Sequence, residues 1–370
     1  MNIYETLGIR PVINAQATLT RLGGSLMPPE VLAAMADAAR CFISLDELQL
    51  RVGERIAELT HNEAAYVSSG AAAGILLATA ACITGLNPDL IFTFPDLDGL
   101  KNEVIVHKSH RNGYDYAVRQ VGAKIIEFGE PEKTTQADFE RAITPKTAAF
   151  FWFQGAMNQL GDLPFSEAIE VAKAHNIPVV VDAAAQLPPA SNLWKFTQAG
   201  ADLVIFSGGK DLRGPQSTGL ILGRRGLIDA CRMHGNPNHS VGRPMKVGKE
   251  EMAGILAAVE RYVNLDPAVF ENYCENTVAR WCDSFNAVSG LTVQRSFPNE
   301  AGQPFPRCLI DVDAQKVGMN RDALVEALAN GNPSIMVQPV GDSGLYLNPM
   351  TLESGEEKIV LDRLLAIVTR

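Results

Sequence analysis

The chain has 370 residues, of which 46% are hydrophobic, and its formal net charge is −10. This length and hydrophobic content favour one large domain together with a smaller one. The acidic balance argues against nucleic acid, or an anionic membrane, as a partner over a broad surface.

The N-terminal segment, "MNIYETLGIRPVINA", lacks the charged region and apolar core of a signal peptide. The most apolar segment, "GAAAGILLATAACITG", is too short to span a bilayer and predicts a buried helix. Six scattered cysteines without a CxxC pair are typical of buried thiols in a reducing compartment. We therefore expect a soluble, cytoplasmic protein.

Helical and strand patterns alternate along the chain, which predicts an α/β fold with a mostly parallel central sheet. An early helix follows Ser44, which has Glu47 three residues later, as in a capping box. Short apolar runs such as "IPVVVDAAA" and "ADLVIFSGG" predict strands buried on both faces. We expect residues 41–248 to form the large domain and residues 249–370 a small α+β domain, with residues 1–40 packed on the latter.

The first candidate site is the turn "YVSSGAAAG", where a strand ends and a helix begins at Ser69, Gly70 and Ala71. Free backbone N–H groups and the helix dipole favour a phosphate at such a turn. The turn has no GxGxxG and no Walker lysine. The alternative is a serine helix cap with a glycine for tight packing.

The second candidate is Asp182, which ends the apolar run "IPVVVDAAA". A side chain at the carboxyl end of a parallel strand faces the ligand crevice, and a carboxylate there needs a cation or a strong donor. The alternative is a carboxylate that only caps a helix.

Lys210 comes 28 positions later, in the Gly-rich loop that follows "DLVIFSGG". A lone loop lysine is most often a surface residue. The candidate phosphate-binding turn at residues 69–71, which we call the cradle, comes first in the sequence, followed by the carboxylate of Asp182 and then by Lys210. These three features in this order match the requirements of pyridoxal 5'-phosphate. That cofactor requires a lysine for a Schiff base and a carboxylate for its ring nitrogen.

An aromatic side chain that covers the cofactor ring is expected between the cradle and Asp182. We assign this role to His110 in "IVHKSHRNGYDYA", with His107 as the alternative. A metal site formed by these two histidines is a weaker interpretation, because no carboxylate or third histidine lies nearby in the sequence.

Several segments resemble the selenium-transferase-like family of fold-type I pyridoxal-phosphate enzymes, which includes ammonia-lyases of amino-sugar acids. The resemblance covers residues 8 to 262 or so, and its most specific parts are "SGGKDLRGPQSTG" and "GRPMKVGKEE". It implies that Lys210 forms the Schiff base and that Asp182 holds the ring nitrogen. It further implies that Gln186 reaches the ring hydroxyl or the substrate. The phosphate ligands that it implies are Ser69, Gly70, Ala71 and Ser207.

The resemblance favours an ammonia-lyase (dehydratase) that acts on a 2-amino-3-hydroxy acid, such as glucosaminate or its 6-phosphate. An aldolase, aminotransferase, racemase, selenium or sulfur transferase, or a non-catalytic cofactor-binding protein stays an alternative, because fold does not fix reaction. The acidic charge, and a chain that starts almost directly at the catalytic domain, argue against a tRNA substrate. Enzymes of this fold usually complete their sites with a second subunit, so we expect a homodimer or a larger even oligomer.

An anionic substrate needs cations, and we expect them among Arg213, Arg243 and Arg307. Asn14 and Gln16 follow a short apolar stretch and could bind substrate hydroxyls. For each arginine the alternative is a solvated surface side chain or a structural ion pair.

Overall fold

The computed structural model describes residues 3–130, 132–155 and 158–369. These residues form two compact units, one of residues 27–265 and one that joins the residues up to 26 to those from 266 onward. The helices are α1 (Ile3–Thr6), α2 (Pro29–Ala38), α3 (Leu45–Leu59), α4 (Gly70–Thr84), α5 (Tyr116–Gln120), α6 (Gln136–Ala142), α7 (Phe165–Ala174), α8 (Asn192–Ala199), α9 (Arg225–His234), α10 (Lys249–Val263), α11 (Pro267–Asn286), α12 (Ala314–Val317), α13 (Arg321–Ala329) and α14 (Glu356–Val368). The strands are β1 (Val12–Asn14), β2 (Ala64–Ser68), β3 (Glu103–His107), β4 (Lys124–Phe128), β5 (Thr147–Phe153), β6 (Val179–Asp182), β7 (Leu203–Ser207), β8 (Gly219–Gly223), β9 (Leu291–Ser296), β10 (Arg307–Val312), β11 (Ser334–Met336), β12 (Gln338–Val340) and β13 (Gly344–Leu347).

The large unit contains a sheet with the strand order β2-β8-β7-β6-β5-β3-β4. Strands β3 to β7 are parallel to their neighbours within that group, whereas β8 runs antiparallel to both β7 and β2. This arrangement confirms the predicted α/β class and mostly parallel sheet. It also places the carboxyl ends of β2, β3, β5, β6 and β7 at one edge, where ligands bind in such sheets.

Hydrophobic cores cover both faces of this sheet, because successive side chains of each strand point to opposite faces. Phe150 of β5 packs with Phe128 and Phe139 on one face, with ring centroids 4.6 Å apart between Phe139 and Phe150. Phe151 lies in the core of the other face, with the buried side chains of α4. Every residue of β5 and β6 is buried, as expected for strands covered on both sides.

Helices α2 and α10 both belong to the large unit, so the unit boundaries differ from the ones that the sequence suggested. The Arg261 guanidinium of α10 pairs with Glu30 of α2 at 2.9 Å, and the Lys249 amine donates to the Ala38 carbonyl oxygen. These contacts join α2 to α10, and Glu260 of α10 pairs with Arg55 of α3 at 3.0 Å, which connects both helices to the rest of the large unit. The chain therefore divides near residues 26 and 265, whereas the sequence placed the divisions near 40 and 248.

The small unit has an antiparallel sheet with the strand order β12-β13-β10-β9, and a parallel pair formed by β1 and β11. Trp281 and Phe285 of α11 are buried against this sheet. The β1–β11 pair ties the N-terminal segment to the C-terminal part of the chain. Among the described residues no helix combines the length and the apolar character needed to cross a membrane.

Helix α3 begins as predicted, since the Ser44 side chain accepts a hydrogen bond from the Glu47 backbone N–H. Helices α6, α8, α9 and α11 had no counterpart in the sequence interpretation. The missed α9, "RGLIDACRMH", does carry a helical signal, because its buried residues Leu227, Ile228, Ala230 and Cys231 recur at helical spacing with polar residues between them.

Gly53 lies in the middle of α3, whereas Gly226 is the second residue of α9, and their surroundings also differ. A Cβ at Gly53 would lie 2.4 Å from the Ala65 carbonyl oxygen, whereas a Cβ at Gly226 would meet no atom within 4 Å. We predict that Gly226→Ala raises the free energy of unfolding by up to about 0.5 kcal/mol, because helix propensity acts less strongly in the first turn than in a helix interior. We predict that Gly53→Ala lowers it by about 1–3 kcal/mol through overpacking. Urea unfolding of both variants tests this, and equal effects would contradict the close packing of α3 on β2.

Candidate active site

The cradle at the start of α4 lies at the carboxyl end of β2. Gly70 has a φ of +80°, a left-handed conformation that favours glycine. The Ser69 side chain makes no capping hydrogen bond, and the first turn of α4 carries no acidic residue. The N–H groups at this helix start, with the positive end of the helix dipole, therefore suit an anion. Ser69, Gly70 and Ala71 are each partly exposed.

Gly219 allows the backbone of the cradle to approach β8. A Cβ at this position would lie 2.5 Å from the Gly70 carbonyl carbon and 2.7 Å from the Ala71 nitrogen. Gly219 pairs in register with Ser68 of β2 on one side and with Ser207 of β7 on the other. Ser68, at the end of β2 just before the cradle, and Ser207 are therefore two strand spacings apart, roughly 10 Å. Ser207 is partly exposed at the same edge.

Asp182 is the last residue of β6 and is 8% exposed. Its Oδ1 accepts a hydrogen bond of 3.0 Å from the Ala184 N–H. Burial raises the pKa of Asp182 to about 6, although the Ala184 N–H and the positive charge of Lys210 act to lower it. The carboxylate therefore lies within electrostatic reach of Lys210, and an added cation would favour its ionised form.

Lys210 lies in a tightly folded loop between β7 and β8. The Gly208 N–H donates to the Thr218 carbonyl oxygen at 2.8 Å, and the Gly214 N–H donates to the Gly208 carbonyl oxygen at 2.9 Å. The Lys210 carbonyl oxygen accepts from the Arg213 N–H, and Arg213 adopts a φ of +55°. Lys210 itself is partly exposed. The loop thus presents a lysine at the edge of the sheet that also carries Asp182 and the cradle.

Gln186 follows Asp182 closely and is 8% exposed. Its backbone carbonyl oxygen accepts a hydrogen bond of 2.6 Å from the Asn192 side chain, which fixes the segment after β6. Its side-chain amide donates weakly to the Gln154 carbonyl oxygen at 3.4 Å. The structure thus brings Gln186 to the same edge of the sheet as Asp182, and its contact with a ligand stays a prediction.

His110 lies just past the end of β3, at this same edge, but its ring is fully buried. The ring meets Trp152 edge-on, with centroids 4.4 Å apart. Its Nε2 lies 3.1 Å from Asp162 Oδ2, while its Nδ1 has no hydrogen-bond partner among the described residues. A ring that stacks on a ligand must present a face to it, so the proposed ring-covering role would require this side chain to be uncovered. That role stays a prediction.

Asp162 joins His107 and His110 in a cluster that sequence spacing did not reveal. One ligand atom from each residue lies within 4.8 Å of the others, so a carboxylate does accompany the two histidines. This carboxylate lies 52 positions from His110 in the sequence, so proximity in the sequence could not reveal it. Hydrogen bonds nevertheless account for the proximity, because Asp162 accepts from the Gln159 N–H and from the Ser109 hydroxyl, both at 2.7 Å. Burial lowers the pKa of both histidines, which favours neutral rings.

Two of the three candidate arginines belong to the large unit. Arg213 lies in the lysine loop, three residues after Lys210. Arg243 follows α9, where its carbonyl oxygen accepts a hydrogen bond of 2.9 Å from the Asn236 side chain. Both side chains are partly exposed.

The remaining predicted residues lie in the small unit. Arg307 is 5% exposed, and its guanidinium pairs with Glu300 at 3.0 Å and covers the Tyr346 ring at 3.7 Å. The Asn14 side chain is engaged locally, since its Oδ1 accepts from the Gln16 N–H and its amide donates to the Ala17 carbonyl oxygen. Roles of Arg307, Asn14 and Gln16 in substrate binding stay predictions.

Comparison with known proteins identifies the family. A family model described as L-seryl-tRNA selenium transferase matches residues 12–272. The chain belongs to this family. The resemblance seen in the cradle and in the loop between β7 and β8 that contains Lys210 is thereby confirmed.

Two curated relatives match almost the whole length of this selenium transferase family member. The D-glucosaminate-6-phosphate ammonia lyase of Salmonella typhimurium is 34% identical, over 98% of this chain and 97% of that protein. The 5'-C-glycyluridine monooxygenase-decarboxylase of a Streptomyces species is 32% identical, over 96% and 90%. A solved structure of D-glucosaminate-6-phosphate ammonia-lyase matches with a TM-score of 0.87 at 33% identity, and covers 100% of this chain and 98% of that one.

The pKa of Asp182 leads to a prediction for the protein without cofactor. A buried carboxyl whose pKa is raised contributes stability below its unfolded pKa and loses it as the pH rises to about 6. Relative to Asp182→Asn, the original protein should therefore lose about 2–3 kcal/mol of unfolding free energy between pH 4 and pH 7. Urea unfolding at both pH values measures this difference. A difference that does not change with pH would contradict a buried, titrating Asp182.

Proposed function

We propose that the chain is a pyridoxal-phosphate-dependent ammonia-lyase that converts a 2-amino-3-hydroxy acid into a 2-oxo-3-deoxy acid and ammonia. The observation that carries this proposal is the meeting of three features at one edge of the sheet: the cradle, Asp182 and Lys210. The 34% identity to an ammonia lyase over nearly the full length supports it. The substrate class we propose is an amino-sugar acid, such as D-glucosaminate or its 6-phosphate.

The residues present fit pyridoxal phosphate on two grounds. The close approach of β8 to the cradle, which a side chain at Gly219 would block, leaves backbone N–H groups that suit a phosphate. The raised pKa of Asp182 marks a buried carboxyl that an added cation would favour in its charged form, as a protonated pyridine nitrogen would. In this proposal Ser69, Gly70, Ala71 and Ser207 hold the phosphate.

The bound cofactor supplies an electron sink for negative charge at the substrate Cα. The Lys210 amine is the base that we assign to the Cα proton, since its loop presents it beside Asp182. In this proposal the same amine, once protonated, gives its proton to the departing C3 hydroxyl. Water is lost from the substrate and regained when the imine product hydrolyses, so the net products are the 2-oxo acid and ammonia.

An anionic substrate needs positive side chains, and Arg213 and Arg243 are our candidates in the large unit. Both are partly exposed, and Arg213 belongs to the loop of Lys210. We also propose Arg307 of the small unit as a carboxylate ligand, which would require it to leave or share its pairing with Glu300. Asn14 and Gln16 would bind sugar hydroxyls.

A homodimer or a larger even oligomer is part of the proposal, because enzymes of this fold complete their sites across subunits. Light scattering of the purified protein measures the assembly mass, and a monomeric mass would contradict this part. A reducing, cytoplasmic compartment agrees with cysteines that the structure leaves as free thiols.

The reaction type must be tested directly, because the chain is also similar over most of its length to the 5'-C-glycyluridine monooxygenase-decarboxylase. That relative is named as a monooxygenase-decarboxylase, so members of similar identity differ in chemistry. A lyase needs no oxygen and forms ammonia and a 2-oxo acid in equal amounts. A monooxygenase-decarboxylase would instead consume oxygen and release carbon dioxide.

We predict that the cofactor-loaded protein forms ammonia and 2-oxo acid one to one from D-glucosaminate or its 6-phosphate, with and without oxygen. Lys210→Ala should lower this rate by at least about 10³-fold, because it removes the base and the covalent anchor of the cofactor. The exposed lysine of α8 provides a matched control, Lys195→Ala, with an unchanged rate. Product formation that depends on oxygen, or an active Lys210→Ala protein, would contradict the proposal.

A further inference from the structure

Asp211 follows Lys210 directly and is held by a side chain from another element of the large unit. The Tyr262 hydroxyl of α10 donates a hydrogen bond to Asp211 Oδ2. Tyr262 is 7% exposed and belongs to the same hydrophobic core as Val181 of β6 and Phe206 of β7. The residue after the proposed base is thus attached to a helix packed on the core.

The charge balance around Asp211 shows why this hydrogen bond matters. Burial raises the pKa of Asp211 to about 6, while the Tyr262 hydroxyl, Arg213 and Arg261 act to lower it. Arg261 is in turn paired with Glu30 at 2.9 Å. Asp211 is only partly exposed, and a carboxylate shielded from water depends on such donors. Loss of the Tyr262 hydroxyl would therefore destabilise the present position of the Asp211 side chain.

The backbone on both sides of Lys210 is also confined. A Cβ at Gly209 would lie 2.5 Å from the Gln216 Cα, so this segment packs directly on the far side of the loop. Leu212 is fully buried in the core. Asp211 lies between Lys210 and the buried Leu212. When its side chain is held by Tyr262, the backbone at position 211 is held as well, and this backbone sets the direction in which the Lys210 side chain leaves the chain.

We propose that Asp211 and Tyr262 form a positioning pair that fixes the backbone at Lys210 and so aims its amine at the reacting carbon. The inference rests on the proposed function of Lys210 as the base. Neither Asp211 nor Tyr262 needs to touch the substrate. Their effect on the rate arises from the placement of the lysine, because small misplacements of a reacting group are costly.

The main test is Tyr262→Phe, which keeps the ring and removes the hydroxyl. In the cofactor-loaded protein we expect kcat to fall about tenfold or more while KM changes less than about threefold. Tyr273→Phe is the matched control, because its hydroxyl also faces a carboxylate, Glu357, but lies in the small unit. It should leave kcat unchanged.

Variants of Asp211 separate the hydrogen bond from the charge. Asp211→Asn keeps an oxygen that accepts from Tyr262, and we expect it to retain most of kcat. Asp211→Ala removes the acceptor and should lower kcat as much as Tyr262→Phe does. A loss of kcat in Asp211→Asn equal to that in Asp211→Ala would overturn the positioning role and assign importance to the charge.

A second readout does not depend on turnover. Labelling of lysines with acetic anhydride in the full-length chain, after removal of cofactor, reports the reactivity of Lys210 by peptide mass spectrometry. We expect Tyr262→Phe to change the rate and pH dependence of labelling at Lys210, with no change in Tyr273→Phe. Unchanged labelling together with unchanged kcat would overturn the inference. An original protein that binds cofactor but forms no product would instead refute the proposed function, and labelling would still decide the positioning role.

Discussion

The buried carboxylate of Asp182 is the constraint on which the rest of the site depends. Burial at the end of β6 raises the pKa of the carboxyl to about 6, and the Ala184 N–H and the charge of Lys210 act against that rise. A cation that binds beside such a group stabilises its ionised form. The family to which the chain belongs, and the cradle nearby, make a protonated pyridine ring the cation that we propose.

The sheet topology explains how distant parts of the sequence reach this carboxylate. The antiparallel strand β8 lies between β2 and β7, so Gly219 stands in register between Ser68 and Ser207. Because Gly219 has no side chain, the start of α4 can approach the backbone of β8 closely. The loop that joins β7 to β8 must then turn back at this edge, and Lys210 lies in that turn. One reversal in the sheet thus brings cradle, carboxylate and lysine together.

Much of the large unit could be predicted from sequence, because buried parallel strands are continuous apolar runs and the cradle and lysine loop have glycine signals. The features that could not be predicted depend on long-range contacts. Asp162 contacts His110, which is 52 positions away in the sequence, and Tyr262 contacts Asp211, which is 51 positions away. No local sequence pattern predicts either contact. The burial of His110 follows from its contact with Trp152, which lies on another strand.

The central claim, that Lys210 binds the cofactor beside Asp182, is tested most directly by reduction with borohydride. Reduction of the cofactor-loaded protein fixes pyridoxal phosphate to its lysine as a stable secondary amine, which peptide mass spectrometry locates. We predict a single modified position, Lys210, and loss of that modification in Lys210→Ala. Stable modification of a different lysine, or none in protein saturated with pyridoxal phosphate, would contradict it.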